Sequence, residues 1–436
     1  MKKDRAVVFA ALLQVAFSVY AQEAVRLSKV EVLERILKNN TTLKIEGENY
    51  NQAKADYRQT NAVFLPNIAV SHTGISTTNP LMAFGAKLNQ EILTQNDFNP
   101  ALLNNPEATK NFATTLEVQQ PLINADGIYQ RKAAKSKMAA MALKTQRTSD
   151  YLKLEAKKAY MQLQLAHKAV KVLEQALTTA NENLKLAKNS FKQGYLQQAD
   201  VLNVEVRLTE VQNQLQQAQS QVLNASNYIS FLMNDDTFAL YQPSDSLVVN
   251  VLSVSNKQVS ENRSDIKALA LANAAYQDMS KADKMAFLPR LNAFGSYQLY
   301  DDKVFQGQAN GYLVGAQLSW DIFQGYKRFG KMQKSKSELD KSKLEYQQYI
   351  SKSKLELNQA KRRLSDAENK LELTRLALQQ SEESLRIRTN RYKEGLEKTS
   401  DLLTAETQYA QKQLEYYQTI FEYNYAQAYM EFLTQE

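Results

Sequence analysis

The sequence contains no cysteine, which excludes disulfides, thiolate metal sites, cysteine nucleophiles and lipid attachment through an N-terminal cysteine. Histidine is nearly absent as well, with only His72 and His167, and the scattered methionines form no ladder for a soft metal. No hydrolase motif and no glycine-rich phosphate loop is present, so neither an enzyme nor a cofactor is expected. Glycine and proline number 12 and 7 among 436 residues, far below their usual combined share of roughly 12%. They are also clustered, because neither occurs from Ile128 to Gln193, Tyr195 to Gln242, Lys331 to Glu394 or Leu396 to Glu436. As a helix rising about 1.5 Å per residue, the first of these stretches would be about 100 Å long, several times the span of a compact domain. A single globular core is therefore excluded.

Charge of one sign is not concentrated anywhere. The formal net charge is +8, and Lys and Arg alternate with Glu and Gln along the chain, so nucleic acid is not an expected partner. With 44% hydrophobic residues the chain has enough apolar surface to fold. Its N-terminus carries Lys2, Lys3 and Arg5, an apolar run from Ala6 to Val19 and small residues around Ala21, the pattern of a cleaved signal peptide over 1–21. No later stretch is apolar enough to cross a bilayer as a helix, so a membrane protein of this sequence would have to cross as strands.

What the sequence does contain is a repeat at an offset of 201 residues. Phe191-Lys192-Gln193-Gly194-Tyr195 and Ala199-Asp200-Val201-Leu202 match Tyr392-Lys393-Glu394-Gly395-Leu396 and Ser400-Asp401-Leu402-Leu403. Phe64-Leu65-Pro66 and Phe287-Leu288-Pro289 form a second pair in the same order. The chain therefore divides into a first repeat over 22–232, a connector over 233–262 and a second repeat over 263–436. Each repeat carries a long helix with a heptad stripe, Ala156, Ala159, Leu163 and Ala166 onward in one and Leu357, Ala360, Leu364 and Ala367 onward in the other. Small residues alternating with large ones suit close antiparallel coiled-coil pairing. Each long helix ends at a glycine turn and returns, over about 199–232 and 399–434, and residues 28–63 and 264–286 supply the remaining helical neighbours.

Between the helices the apolar period changes to two. Four strands are predicted, at 66–78, 109–123, 289–301 and 310–324, the last running through Trp320 and Ile322. They form one hairpin per repeat, about 66–123 and about 289–324, and 79–108, with Pro80, Pro100, Pro106 and several Asn, reads as a long loop. Four strands cannot enclose water, and open edges in lipid cost several kcal/mol per unpaired backbone group. Oligomerisation follows, and three chains would give a barrel of twelve strands.

The order of signal peptide, helix, Phe-Leu-Pro, hairpin, long helix, glycine turn, Asp-Val-Leu and return helix, all repeated, resembles the TolC family of outer-membrane efflux proteins. The resemblance spans about residues 24–433. It implies a mainly α fold with a membrane β-barrel: a homotrimer with a 12-stranded barrel in outer-membrane lipid and an α-barrel in the periplasm of a Gram-negative cell. It also implies two partners, a periplasmic membrane-fusion adaptor and an inner-membrane transporter of RND or ABC type. Carried over by position, Asp401 and Asp200 would line the periplasmic aperture, with Asn203 and Thr404 one turn on. Tyr392 would belong to a latch that closes the tip, in which Glu397, beside Lys398, stands where the family has an arginine. Gly194, Tyr195, Gly395 and Leu396 would dock the adaptor. Independently of any resemblance, an acid a few residues after a glycine turn suits the N-terminus of a helix, so Asp200 and Asp401 also read as capping residues. The alternative is a secreted or periplasmic coiled-coil structural or adaptor protein without a channel, which would have no need of amphipathic strand pairs.

Overall fold

A computed structural model describes residues 24–250 and 258–435; the signal peptide expected at 1–21 and part of the connector lie outside the described residues. In chain order the elements are β1 (Val25–Leu27), α1 (Lys29–Asn39), α2 (Thr41–Gln59), β2 (Asn67–Thr77), α3 (Pro80–Asn89), α4 (Pro100–Asn104), β3 (Thr109–Ile123) and α5 (Ala125–Lys192). They continue with α6 (Gln198–Met233), β4 (Tyr241–Pro243), α7 (Ser264–Met285), β5 (Arg290–Asp301), β6 (Ala309–Ser319), α8 (Lys327–Lys393) and α9 (Thr399–Thr434). The chain forms two units. One comprises residues 47–144 and 264–350 and holds the four long strands; the other comprises 24–46, 145–263 and 351–435 and holds both helical tips. No helix among the described residues is long and apolar enough to cross a membrane.

In the strand-bearing unit the sheet is antiparallel, in the order β2-β3-β5-β6. Its register sorts the faces. Val70, Leu116, Tyr297 and Tyr312 form one cross-sheet row, and Ile68, Val118, Gly295 and Val314 form the next, all on one face. The opposite face carries the rows Asn67, Gln119, Phe294, Gly315 and Ser71, Thr115, Gln298, Gly311. Because side chains alternate along a strand, a slip of one residue would exchange these faces, so the pattern itself pins the register.

Two expectations for this unit need correction. Residues 320–324 are not strand: β6 ends at Ser319, opposite Arg290, and the next position on the partner strand is Pro289, which has no N–H with which to continue the ladder. Trp320 instead donates its indole N–H to the Phe287 carbonyl at 2.9 Å. The stretch 79–108 is not plain loop either. Asn79 accepts from the Met82 N–H at 3.1 Å and Asn99 from the Ala101 N–H at 3.0 Å, each directly ahead of a proline that opens a helix. The Asn-Pro pairs are helix starts here, because an Asn cap and a proline at the first helical position both satisfy a helix N-terminus. Lys87 and Asp97, 2.7 Å apart, close the segment on itself.

In the tip-bearing unit the stripe residues Ala156, Ala159 and Leu163 of α5, with Leu152 and Tyr160 beside them, pack with Val32 and Ile36 of α1 and with Val222, Ile229 and Leu232 of α6. The single helix expected over 28–63 is divided at Asn40. The Asn40 side chain accepts from the Thr42 N–H at 2.9 Å, so it caps α2, and donates to the Leu232 carbonyl at 2.8 Å. Neither glycine nor proline marks this break, which rests on one asparagine side chain. Within the connector, β4 pairs in parallel with β1. The buried Tyr160 hydroxyl donates to Asp245 and lies 3.2 Å from the Leu27 carbonyl, tying β1 and the residues just after β4 to the long helix. Burying a side chain of this size contributes about 2 kcal/mol, and its hydroxyl is satisfied in place.

Candidate functional site at the helical tips

The two tips use one backbone device. Gly194 has φ +80 and Gly395 φ +72, a left-handed conformation that costs other L-residues about 1–2 kcal/mol. At the first tip the Tyr195 N–H donates to the Ser190 carbonyl and the Gly194 N–H to Phe191; at the second, Leu396 donates to Arg391 and Gly395 to Tyr392. These paired bonds satisfy carbonyls that the ending helix would leave open, as in a Schellman motif. Tyr195 and Leu396 are strongly exposed.

After each turn the returning helix begins differently. In α6 the Gln197 N–H donates to the Asp200 carboxylate at 3.2 Å, so Asp200 takes part in the cap. In α9 the corresponding cap residue, Lys398, is exposed and makes no side-chain cap bond. Asp401 is half-buried, with its nearest carboxylate oxygen 4.0 Å from Arg388. Asp200 thus takes part in a cap bond, whereas Asp401, also in the first turn of its helix, accepts only from the Ser400 hydroxyl, at 3.5 Å, and from no backbone N–H. Asn203 and Thr404 lie one turn further on and are exposed.

The latch candidates are engaged within their own hairpin. The buried Tyr392 hydroxyl lies 3.4 Å from the Thr399 hydroxyl. Glu397 accepts from Arg388 at 2.7 Å and from Arg391 at 2.8 Å, and the Arg391 hydrogen bond, aided by Arg388, holds its carboxyl below the usual glutamate range. Two arginines of α8 thus close on Glu397, and the glutamate is their acceptor. Sequence reasoning passed over Arg388 and Arg391, although Arg388 occupies a heptad-stripe position where a small or apolar residue would be normal.

A second group escaped the sequence entirely. Glu406, Asn183 and Arg207 are each more than nine-tenths buried, and the Asn183 amide donates to the Glu406 carboxyl. Asn183 belongs to α5, Arg207 to α6 and Glu406 to α9, so polar groups of both repeats meet here. Nearby, Leu403 of α9 packs on Ala187, Val201 and Val204 of the first hairpin. The available signal was a charged pair, Arg207 and Glu406, on helices whose neighbours are mostly apolar, but only the fold brings them together.

Neither histidine lies at the tips. His72 Nδ1 is 2.8 Å from the Thr114 hydroxyl, and His167 Nε2 is 2.9 Å from the Tyr241 carbonyl. No cluster of three or more potential metal ligands occurs among the described residues.

Comparison with protein families matches residues 32–235 and 256–432 to the family described as outer membrane efflux protein. Individual comparison with curated proteins finds no match. Among solved structures, the CmeC outer membrane channel of Campylobacter jejuni is similar over 93% of this chain and 85% of its own, at 17% identity and a TM-score of 0.81. The outer membrane protein VceC of Vibrio cholerae is similar over 93% and 96%, at 16% identity and a TM-score of 0.79. The MtrE outer membrane channel of Neisseria gonorrhoeae, in its open state, is similar over 93% and 88%, at 16% identity and a TM-score of 0.76.

Proposed function

We propose, on the premise that the chain belongs to the outer membrane efflux protein family, that three copies form the exit duct of a tripartite export system. In this reading the twelve strands of a trimer close a barrel in the outer membrane and the helices form a periplasmic tunnel. A periplasmic adaptor docks at the tips around Gly194 and Gly395 and links the tunnel to an inner-membrane pump. Asp200 and Asp401, with Asn203 and Thr404, line the entrance. Cargo arrives already selected by the pump, because a wide tunnel discriminates weakly.

The observation that carries this reading is the four-stranded sheet. Its apolar face stays open to solvent in the single chain, with Val70 70%, Tyr312 78% and Leu318 67% exposed. Both outer edges, on β2 and β6, lack a partner strand among the described residues. Such a sheet is stable in lipid only if neighbours complete it, since every unpaired backbone group there costs several kcal/mol. Two chains would supply only eight strands, whose interior is filled by side chains; three supply twelve and leave a pore. Nitroxides placed at Leu116 and Leu318 should report lipid, and those at Glu117 and Gln317 should report water. Equal accessibility of both sets in reconstituted protein would overturn the membrane assignment.

A further inference from the structure

The tips are held internally by contacts within each hairpin, whereas one buried polar contact near them joins the first repeat to the second. Glu406 follows Asp401 by less than two turns of α9, so whatever fixes Glu406 also fixes where Asp401 stands relative to the first hairpin. Its partners come from the other repeat: Asn183 donates to its carboxyl and Arg207 supplies the nearest positive charge. Beside them is a cavity of about 70 Å³, lined by Thr179 of α5, Arg207 of α6, Leu385 of α8 and Glu406 and Tyr409 of α9. All four helices of the two hairpins thus converge on one titratable side chain.

We propose that Glu406 is a positioning residue of the channel entrance: its neutral carboxyl lets the second tip pack against the first, and ionisation, which would bury a charge among four helices, loosens that packing. The proposal rests on the reading of the tips as the entrance, and the contact itself stands independently of that reading. Loss of water around the buried group disfavours its charged form and pushes it up to about 7, although Arg207 and the Asn183 hydrogen bond pull the other way.

The groups that face Glu406 come from all of the packed helices. From α5 the facing side chains are Gln175, Thr179 and Asn183, none of them charged. From α6 comes Arg207, which also reaches Glu210 at 3.4 Å. From α8 comes Glu382, 3.4 Å from the Tyr409 hydroxyl, and burial pushes that hydroxyl further up from the ordinary tyrosine range. A carboxyl whose value is raised in the packed state favours packing in acid, and the benefit disappears as pH rises through about 7. The entrance should therefore be tighter in acid and looser in mild alkali, which would close the duct when the exterior acidifies.

The absence of cysteine makes the test direct. Tyr195→Cys and Leu396→Cys introduce one nitroxide at each tip, and labelled chains diluted into unlabelled trimers give the distance between tips by pulsed electron paramagnetic resonance. The expected result is a narrow distribution at pH 5.5 that broadens and lengthens at pH 8.5. Glu406→Gln, which keeps the shape and the neutral charge, should stay narrow at both values, and Asn183→Ala, which removes a bond that favours the ionised carboxyl, should move the change to higher pH. In planar bilayers, conductance should rise over the same range and become insensitive to pH in Glu406→Gln. A tip distance that ignores pH, or a Glu406→Gln protein that follows the parent, would overturn the proposal. Absence of conductance in every variant would count against the channel reading, while the tip distances would still decide the role of Glu406.

Discussion

Gly194 and Gly395 bend the chain in the same left-handed conformation and close the same pair of hydrogen bonds, yet the chemistry laid over the two turns is different. The first tip is lightly built: one capping acid, Asp200, and an exposed Tyr195. The second carries a clamp, Arg388 and Arg391 on Glu397, with Tyr392 buried against Thr399 and Asp401 left out of the cap. Duplication preserved the part that the backbone requires and let the side chains diverge. A residue that must adopt positive φ has almost no substitutes, whereas an exposed turn tolerates many side chains.

The largest effect should come from removing what the tips share. Gly395→Trp should reduce export by an order of magnitude or more in a growth assay against an exported toxin while leaving a folded trimer on native gels, and Gly194→Trp should do the same. Loss at only one position would break the equivalence and assign docking to that tip alone. A smaller effect is expected where the tips differ. Glu397→Gln should leave Arg391 without a carboxylate and Arg388 with only the more distant Asp401, and speed proteolytic nicking at the second tip about tenfold if opening there is fast, with the first tip as internal control. Because the arginines hold Glu397 below the ordinary glutamate range, the clamp should persist from neutral pH down through about 4.5 and fail only as pH falls through its lowered value. Nicking that accelerates already at pH 6 would show that the clamp does not hold the tip.

The smallest effect separates the two acids. Asp200→Ala should lower thermal stability by about 0.5 kcal/mol, through loss of a capping bond. Asp401→Asn should leave stability nearly unchanged and weaken cation selectivity, read as a shift of reversal potential in a salt gradient. Equal stability losses with an unchanged reversal potential would make both residues caps and remove Asp401 from the entrance.

Legibility in the sequence followed periodicity. The long helices, the return helices and the four strands all run for ten residues or more with one apolar period, and their ends fall within a few residues of the expected ones. The helix break at Asn40 and the β1-β4 pair were not legible, since one asparagine side chain makes the first and three-residue strands make the second. The helices at Pro80 and Pro100 were misread because Asn-Pro serves both turns and helix starts. At the tips, Gly194 and Gly395 were plain, but the partners of Glu397 were not, because a salt bridge depends on which rotamers face one another across a turn.

By itself the sequence determined the duplication, the order of helices and strands, the alternation that gives the sheet an apolar face, and the two glycine turns. All of these rest on local rules: helical and strand periods, the shortage of helix breakers and the steric freedom of glycine. The tertiary structure alone decided which acid caps its helix, that Arg388 and Arg391 close on Glu397, and that Asn183 and Arg207 meet Glu406. Asn183 and Glu406 are separated by 223 residues, and burial of a carboxyl arises from the packing of four helices around it, which no local pattern encodes.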